Sequence, residues 1–195
     1  MNTHAISFPP VRRTRKILEK EENFVAREEE FRGFWSPSED KRFTIEEVAD
    51  KLGSYISENP EKKYRLIIGT DSQENHDGVV FVSAIILHRV GNGGRYFWHR
   101  SKREGTMVLR DRIHQEVDFS RRLAEKFEAF FNEWKMNFRG SKTFWPNLEI
   151  HVDIGENGAT RSLINEIVGM VRAFGFEIKT KPNSYGASTI ADRHT

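Results

Sequence analysis

The hydrophobic period of this chain changes near residue 105, and that change limits the fold more than any other feature. Before it, 64–69 is a nearly continuous apolar run, 78–90 is rich in valine, isoleucine and phenylalanine, and 95–102 follows the turn Gly91-Asn92-Gly93-Gly94. Short runs of this kind read as strands joined in hairpins, because glycine and asparagine tolerate the positive φ of a tight turn. After it, Leu109, Ile113, Val117, Leu123, Phe127, Phe131 and Trp134 recur at helical spacing against a charged remainder. Residues 107–134 are therefore expected to form one long amphipathic helix.

The chain then alternates. A strand is expected at 148–152, a helix at 159–174 with Leu163, Ile167, Val168 and Val171 inward, a strand at 176–180 closed by Pro182, and a short last helix at 187–193. An antiparallel three-strand meander running into helix–strand units makes an α/β domain, a mixed sheet with helices on both faces. This domain is expected to occupy 61–195. Residues 1–60 read as an N-terminal appendage with Pro9 and Pro10, a basic cluster (Arg12, Arg13, Arg15, Lys16), an acidic run at 28–30 and the aromatics Phe31, Phe34 and Trp35. The basic cluster suits either a phosphate contact or the start of a solvated helix. One helix is expected there at about 45–58: Thr44 and Glu47 form a capping box, Ile45, Val48, Leu52 and Ile56 follow at helical spacing, and Asn59-Pro60 stops it.

Composition removes whole classes of chemistry. The chain has no cysteine, which excludes disulfide scaffolds, thiolate nucleophiles, iron–sulfur centres and cysteine-based zinc sites, and favours a cytoplasmic setting. None of the seven histidines shows the short paired spacing of a zinc protease or zinc finger. The longest apolar stretch, 79–87, is far short of the roughly 20 residues that span a bilayer, and the opening residues place their charge after a short apolar piece, the reverse of an export signal. Lysine plus arginine total 31 against 29 acids, a net charge of +2 that names no partner.

In open α/β sheets, ligands collect beyond the carboxyl ends of the parallel strands. Two aspartates take such places: Asp71 in Gly69-Thr70-Asp71-Ser72-Gln73, and Asp153 after Leu148–Val152. If those strands are parallel neighbours, about 4.8 Å apart, the carboxylates meet and need a shared proton or a cation. An all-oxygen site suits Mg2+ or Mn2+. Each aspartate alone has a plainer reading, Asp71 in an Asx-type turn and Asp153 in the loop capping the next helix. Glu116 borders the inward stripe of the long helix and is the third candidate ligand; a salt bridge is its plainer role. Asp118 is the reserve, about 200° round the helix from Glu116. Asp192 offers a fourth acid near the chain end, His194 a possible proton-transfer group, and His151 shares the alternation of Asp153, as a residue supporting it from behind would.

Four segments, GTDSQ (69–73), LRDRIHQEVDFSRRLAEKF (109–127), EIHVDIGENGATRSLINEIVGMVRAFGFEI (149–178) and KPNSYGASTIADRHT (181–195), resemble the YkuK-like family of predicted ribonuclease H-like nucleases. The resemblance covers roughly 60–195. It implies a ribonuclease H-like fold, with a five-stranded mixed sheet whose first three strands are antiparallel and whose last two run parallel to the first. It also implies catalytic acids at the end of the first strand, on the helix after the third, at the end of the fourth and in the last helix; here these are Asp71, Glu116, Asp153 and Asp192. The implied chemistry is hydrolysis of DNA or RNA phosphodiesters by two divalent ions about 3.5–4 Å apart, leaving a 5′-phosphate and a 3′-hydroxyl.

Acids alone repel a polyanion, so basic groups are needed around them. Arg100, Lys102 and Arg103 after the third strand, Arg110 and Arg112 opening the long helix, and Lys179, Lys181 and Arg193 near the end could position a phosphate backbone. They equally suit an ordinary charged surface, and Tyr96, Phe97 and Trp98 suit either base stacking or packing on the sheet. Two rival functions share the fold: a non-catalytic nucleic-acid binder or adaptor, whose binding survives metal removal, and a phosphatase or nucleotide hydrolase with no preference for polymers.

Overall fold

In a computed structural model, residues 30–138, 145–156, 160–184, 189–190 and 193–194 are described. Contacts divide the chain into Met1–Phe31 and Arg32–Thr195. In the second unit, the strands are β1 (Phe34–Ser36), β2 (Glu39–Phe43), β3 (Tyr64–Asn75), β4 (Gly78–Arg89), β5 (Gly94–Arg103), β6 (Leu148–His151) and β7 (Glu177–Lys179). The α-helices are α1 (Ile45–Ser57), α2 (Leu109–Asn137) and α3 (Ile164–Ala173), the last preceded by a 3-10 turn at Arg161–Leu163.

The strands form one sheet in the order β2-β1-β5-β4-β3-β6-β7. β3, β4 and β5 are antiparallel neighbours, and β6 and β7 run parallel to β3. This is the expected mixed sheet, with seven strands instead of five. The additional pair lies at 34–43, where strands of three and five residues are too short to show a period of two. β1 joins the sheet through the pairing of Trp35 with Trp98 of β5, so residues 32–60 supply two strands and a helix to the same unit as the meander.

Local chemistry accounts for the other elements. Gly91 and Gly93 take φ of 81° and 71° in the β4–β5 turn, a conformation that costs glycine little. The Thr44–Glu47 capping box is formed: Thr44 Oγ1 accepts from the Glu47 amide at 3.3 Å, and the Glu47 carboxylate accepts from the Thr44 amide at 2.8 Å. β3 outlasts its apolar run because its antiparallel ladder with β4 continues through polar residues as far as Asn75↔Gly78. Asp71 therefore sits inside a strand opposite Val82, and the turn reading of it does not hold.

The core lies between one sheet face and α1, α2 and α3. Leu66, Ile68, Phe81, Ile85, Leu87 and Phe97 meet Leu52, Ile56, Leu123, Phe127 and Phe131, all essentially inaccessible to water. At about 1.5–3 kcal/mol for each large apolar side chain buried, this layer outweighs any surface ion pair in holding the long helix to the strands. The opposite face carries the helical residues 193–194, with the His194 ring stacked on Trp98 at 3.7 Å and 12°. No helix among the described residues is long and apolar enough to cross a membrane.

α1 meets α2 at Gly53, where an added Cβ would land on the Trp134 indole. Trp134 is itself held by ring contacts with Phe138 and Trp145 at 5.2 and 5.4 Å. Gly53→Ala should lower stability by about 1–3 kcal/mol although alanine favours helix, and Trp134→Leu should recover part of the loss in the double variant, as measured by urea unfolding.

Candidate active site

The site arises from the way β3 is shared. Its parallel ladder with β6 pairs Leu66↔Leu148, Ile67↔Glu149 and Ile68↔Ile150 and then ends. β3 continues with β4, while the chain beyond β6 stays with β7: the Val152 amide donates to Lys179 O at 3.0 Å and the Lys181 amide to Ile154 O at 2.8 Å. Continued at its constant offset of 82, that ladder would set Asp71 opposite Asp153, three residues past its last pair. Both are half-buried. This is the carboxyl-end switch point where α/β sheets take ligands.

Glu116 reaches this end of the sheet from α2. It is 6% exposed, and its Oε1 accepts a 2.5 Å hydrogen bond from Ser72 Oγ, the residue after Asp71. Burial pushes its carboxyl up to about 8, against the opposing Ser72 hydrogen bond; Asp71 and Asp153 raise it further and Arg112 lowers it. Both aspartates thus act on the Glu116 carboxyl, which α2 brings to the point where the β3–β6 ladder has ended. Asp118 faces elsewhere, held by Arg121 at 2.8 Å and Arg122 at 3.0 Å, which are ordinary helix-surface pairs.

Two buried polar atoms near this point lack hydrogen-bond partners, Asp153 Oδ1 and Arg112 Nε. Lys181 Nζ stands 2.9 Å from Asp153 Oδ1 as an ion pair, though not aligned as a hydrogen bond. Lys181 approaches over Gly155, where a Cβ would lie 3.1 Å from the lysine's own Cβ. A buried carboxylate oxygen with no hydrogen bond, balanced only by a lysine ion pair, beside a carboxyl that resists ionisation, is a donor set that suits a hard divalent cation. Among the described residues, no three histidines, aspartates or glutamates already stand in a metal-holding arrangement. Asp192 lies outside the described residues.

The remaining candidates fall in different places. His151 is 1% exposed and pairs through Nε2 with Glu149 at 3.2 Å; Arg65 Nη2 holds the same carboxylate at 2.6 Å. Burial holds the His151 imidazole below its usual range, and Glu149 offsets part of this. His194 lies on Trp98, with Tyr96 Oη 3.5 Å from its Nε2. Arg110 is bound to Glu166 at 2.8 Å, a carboxylate that His114 also approaches at 3.2 Å. Lys102 stands 3.7 Å from the exposed Asp77. Arg100 is exposed and lies in one cross-strand row with Asp71 through Val82; Arg193 is exposed. Sequence reasoning missed Ser72, whose only signal was its place beside Asp71.

A family model described as ribonuclease H-like matches residues 47–195, so the chain belongs to the ribonuclease H-like family, as its four motifs indicate. It is similar to the uncharacterized protein YkuK of Bacillus subtilis (strain 168), at 32% identity over 170 residues, covering 83% of this chain and 96% of that protein. No solved structure matches it.

Because the folded Glu116 carboxyl is raised from 4.5 to about 8, the native state binds the extra proton between those values. Its contribution is complete below about pH 4.5 and is lost as pH rises through about 8. In chelator-treated protein, the stability of wild type minus that of Glu116→Gln should fall across this window, with a limiting slope of about 1.4 kcal/mol per pH unit. Thermal or urea melts at a series of pH values check this; parallel curves would contradict it.

Proposed function

We propose that the protein is a divalent-metal-dependent nuclease that hydrolyses phosphodiester bonds of a nucleic acid, with Asp71, Glu116, Asp153 and Asp192 as the residues that would hold Mg2+ or Mn2+. The observation that carries the reading is the buried Glu116 carboxyl, pushed to about 8 while Asp71 and Asp153 add negative potential around it. Such a group is costly unless a proton or a cation accompanies it. The buried Asp153 Oδ1, which accepts no hydrogen bond, and membership of the ribonuclease H-like family support the same reading.

When bound, the ions supply an activated water and stabilise the departing 3′-oxygen, so that hydrolysis leaves a 5′-phosphate and a 3′-hydroxyl. The chain's own groups prepare that chemistry. Ser72 Oγ fixes the rotamer of Glu116 by donating to Oε1. Lys181 pairs with Asp153, and were a cation held there, its ammonium would be free to take a phosphate oxygen. Arg112, 3.7 Å from Glu74 and with its Nε unpartnered, is a second cation at the mouth of the site. Arg100, Lys102, Arg110 and Arg193 are the more distant positioning groups for a polyanion, contributing affinity without base reading.

The test is incubation of metal-stripped protein with labelled RNA, single- and double-stranded DNA and RNA/DNA hybrid, with and without Mg2+ or Mn2+. Cleavage should require the metal and fall at least about 100-fold in Asp71→Asn. Equal rates for wild type and variant would overturn the proposal. Metal-independent binding without cleavage would favour an adaptor, and turnover of mononucleotides without polymer preference would favour a small-substrate hydrolase.

A further inference from the structure

On the sheet face opposite α2, four alternate residues of β5 point the same way: Tyr96, Trp98, Arg100 and Lys102. Ring contact between Tyr96 and Trp98 at 5.8 Å confirms their common side. Trp35 of β1 is the direct cross-strand partner of Trp98 and so shares this face. Arg42 of β2 lies over the Trp35 ring at 5.1 Å. Two tryptophans side by side, flanked by Arg42, Arg100 and Lys102, form a patch in which aromatic faces and cations alternate. None of the three cations is held tightly: Arg42 touches a ring, Arg100 has no ion pair among the described residues, and Lys102 has only the 3.7 Å approach to exposed Asp77.

The patch is aimed at the acids. Arg100 pairs through Val82 with Asp71, so guanidinium and carboxylate occupy one row two strands apart, roughly 10 Å between backbones. Trp98 is backed by the buried Val80 and Val82. Its other side is covered by the His194 imidazole, stacked nearly parallel at 3.7 Å. A flat heteroaromatic ring lying on an indole is the geometry a nucleobase adopts on such a platform. A duplex hides the faces of its bases inside its own stack, so the tryptophan pair has a use only for an unpaired strand.

We infer that this face binds a single strand of nucleic acid, with a base stacked on Trp98 in the place of His194, a second aromatic platform at Trp35, and the backbone led by Lys102 and Arg100 toward Asp71. The inference rests on the nuclease reading for where the strand goes, but binding itself requires no metal. It narrows the substrate class to single-stranded DNA or RNA, or an unpaired segment of either. His194 then acts as an internal competitor that must leave the indole when a base arrives.

The test measures binding of the full chain in chelator, by fluorescence anisotropy, to a labelled single strand of about 20 nucleotides and to the duplex of the same sequence. Wild type should prefer the single strand, and binding should quench tryptophan fluorescence. Trp98→Ala and Trp35→Ala should each weaken single-strand binding about tenfold with little change for duplex, while Trp98→Phe keeps most of it. Arg100→Glu, an exposed change that leaves the platform intact, should weaken binding and flatten its salt dependence. His194→Ala should tighten binding several-fold. Equal affinity for duplex and single strand, or unchanged single-strand affinity in folded Trp98→Ala and Arg100→Glu, would overturn the inference, and weaker binding by His194→Ala would overturn the displacement. Failure of the nuclease reading is a separate result: metal-dependent cleavage absent in wild type while the single-strand preference and its loss in Trp98→Ala remain.

Discussion

Strand β3 has two partners that release it at different points, and the rest of the site depends on that mismatch. Antiparallel pairing with β4 runs to Asn75, whereas parallel pairing with β6 stops at Ile68↔Ile150. Past that point, β3 belongs to the meander and the chain after β6 belongs to β7. The sheet therefore divides close to Asp71 and Asp153.

Onto this division α2 delivers Glu116. The helix is held along its length by Ile113, Val117, Leu123, Phe127 and Phe131, each at most 3% exposed. Its position is thus set by apolar burial, and Glu116 is carried into a place its own solvation would not choose. The resulting carboxyl, raised by burial and by two neighbouring aspartates, is a local cost borne by a strongly packed helix. The half-buried Glu149 answers the same problem differently: burial raises its carboxyl, but the hydrogen bonds and charges of Arg65 and His151 outweigh this and hold it below its usual range. Glu149 thus has Arg65 and His151 against it, whereas Glu116 has the neutral Ser72 hydroxyl and two neighbouring aspartates, the environment expected of a candidate functional carboxyl.

The two faces of the sheet are correspondingly different. One is closed by α1, α2 and α3 over a continuous apolar layer. The other presents tryptophans and cations on β1, β2 and β5, with the His194 ring on Trp98. Without the two short strands at 34–43, β5 would be a sheet edge and Trp98 would have no neighbouring indole.

Much of this was legible in the residues. The order of β3, β4, β5, α2, β6, α3 and β7 follows from local periodicity, because a strand repeats at two residues and a helix at 3.6 whatever surrounds them. The same patterns mark Asp71 and Asp153 as acids that follow apolar strand runs, although β3 carries Asp71 inside its ladder with β4, and the four family motifs add Glu116. Tertiary structure decided what periodicity cannot carry. It added β1 and β2, whose three and five residues hold no repeat, and it turned Glu116 inward and left Asp118 to Arg121 and Arg122. It also set Lys181 on Asp153 and Trp35 beside Trp98, contacts between residues 28 and 63 positions apart in sequence. Such pairs are chosen by which strands lie next to one another, a property of the whole sheet that no local stretch of sequence contains.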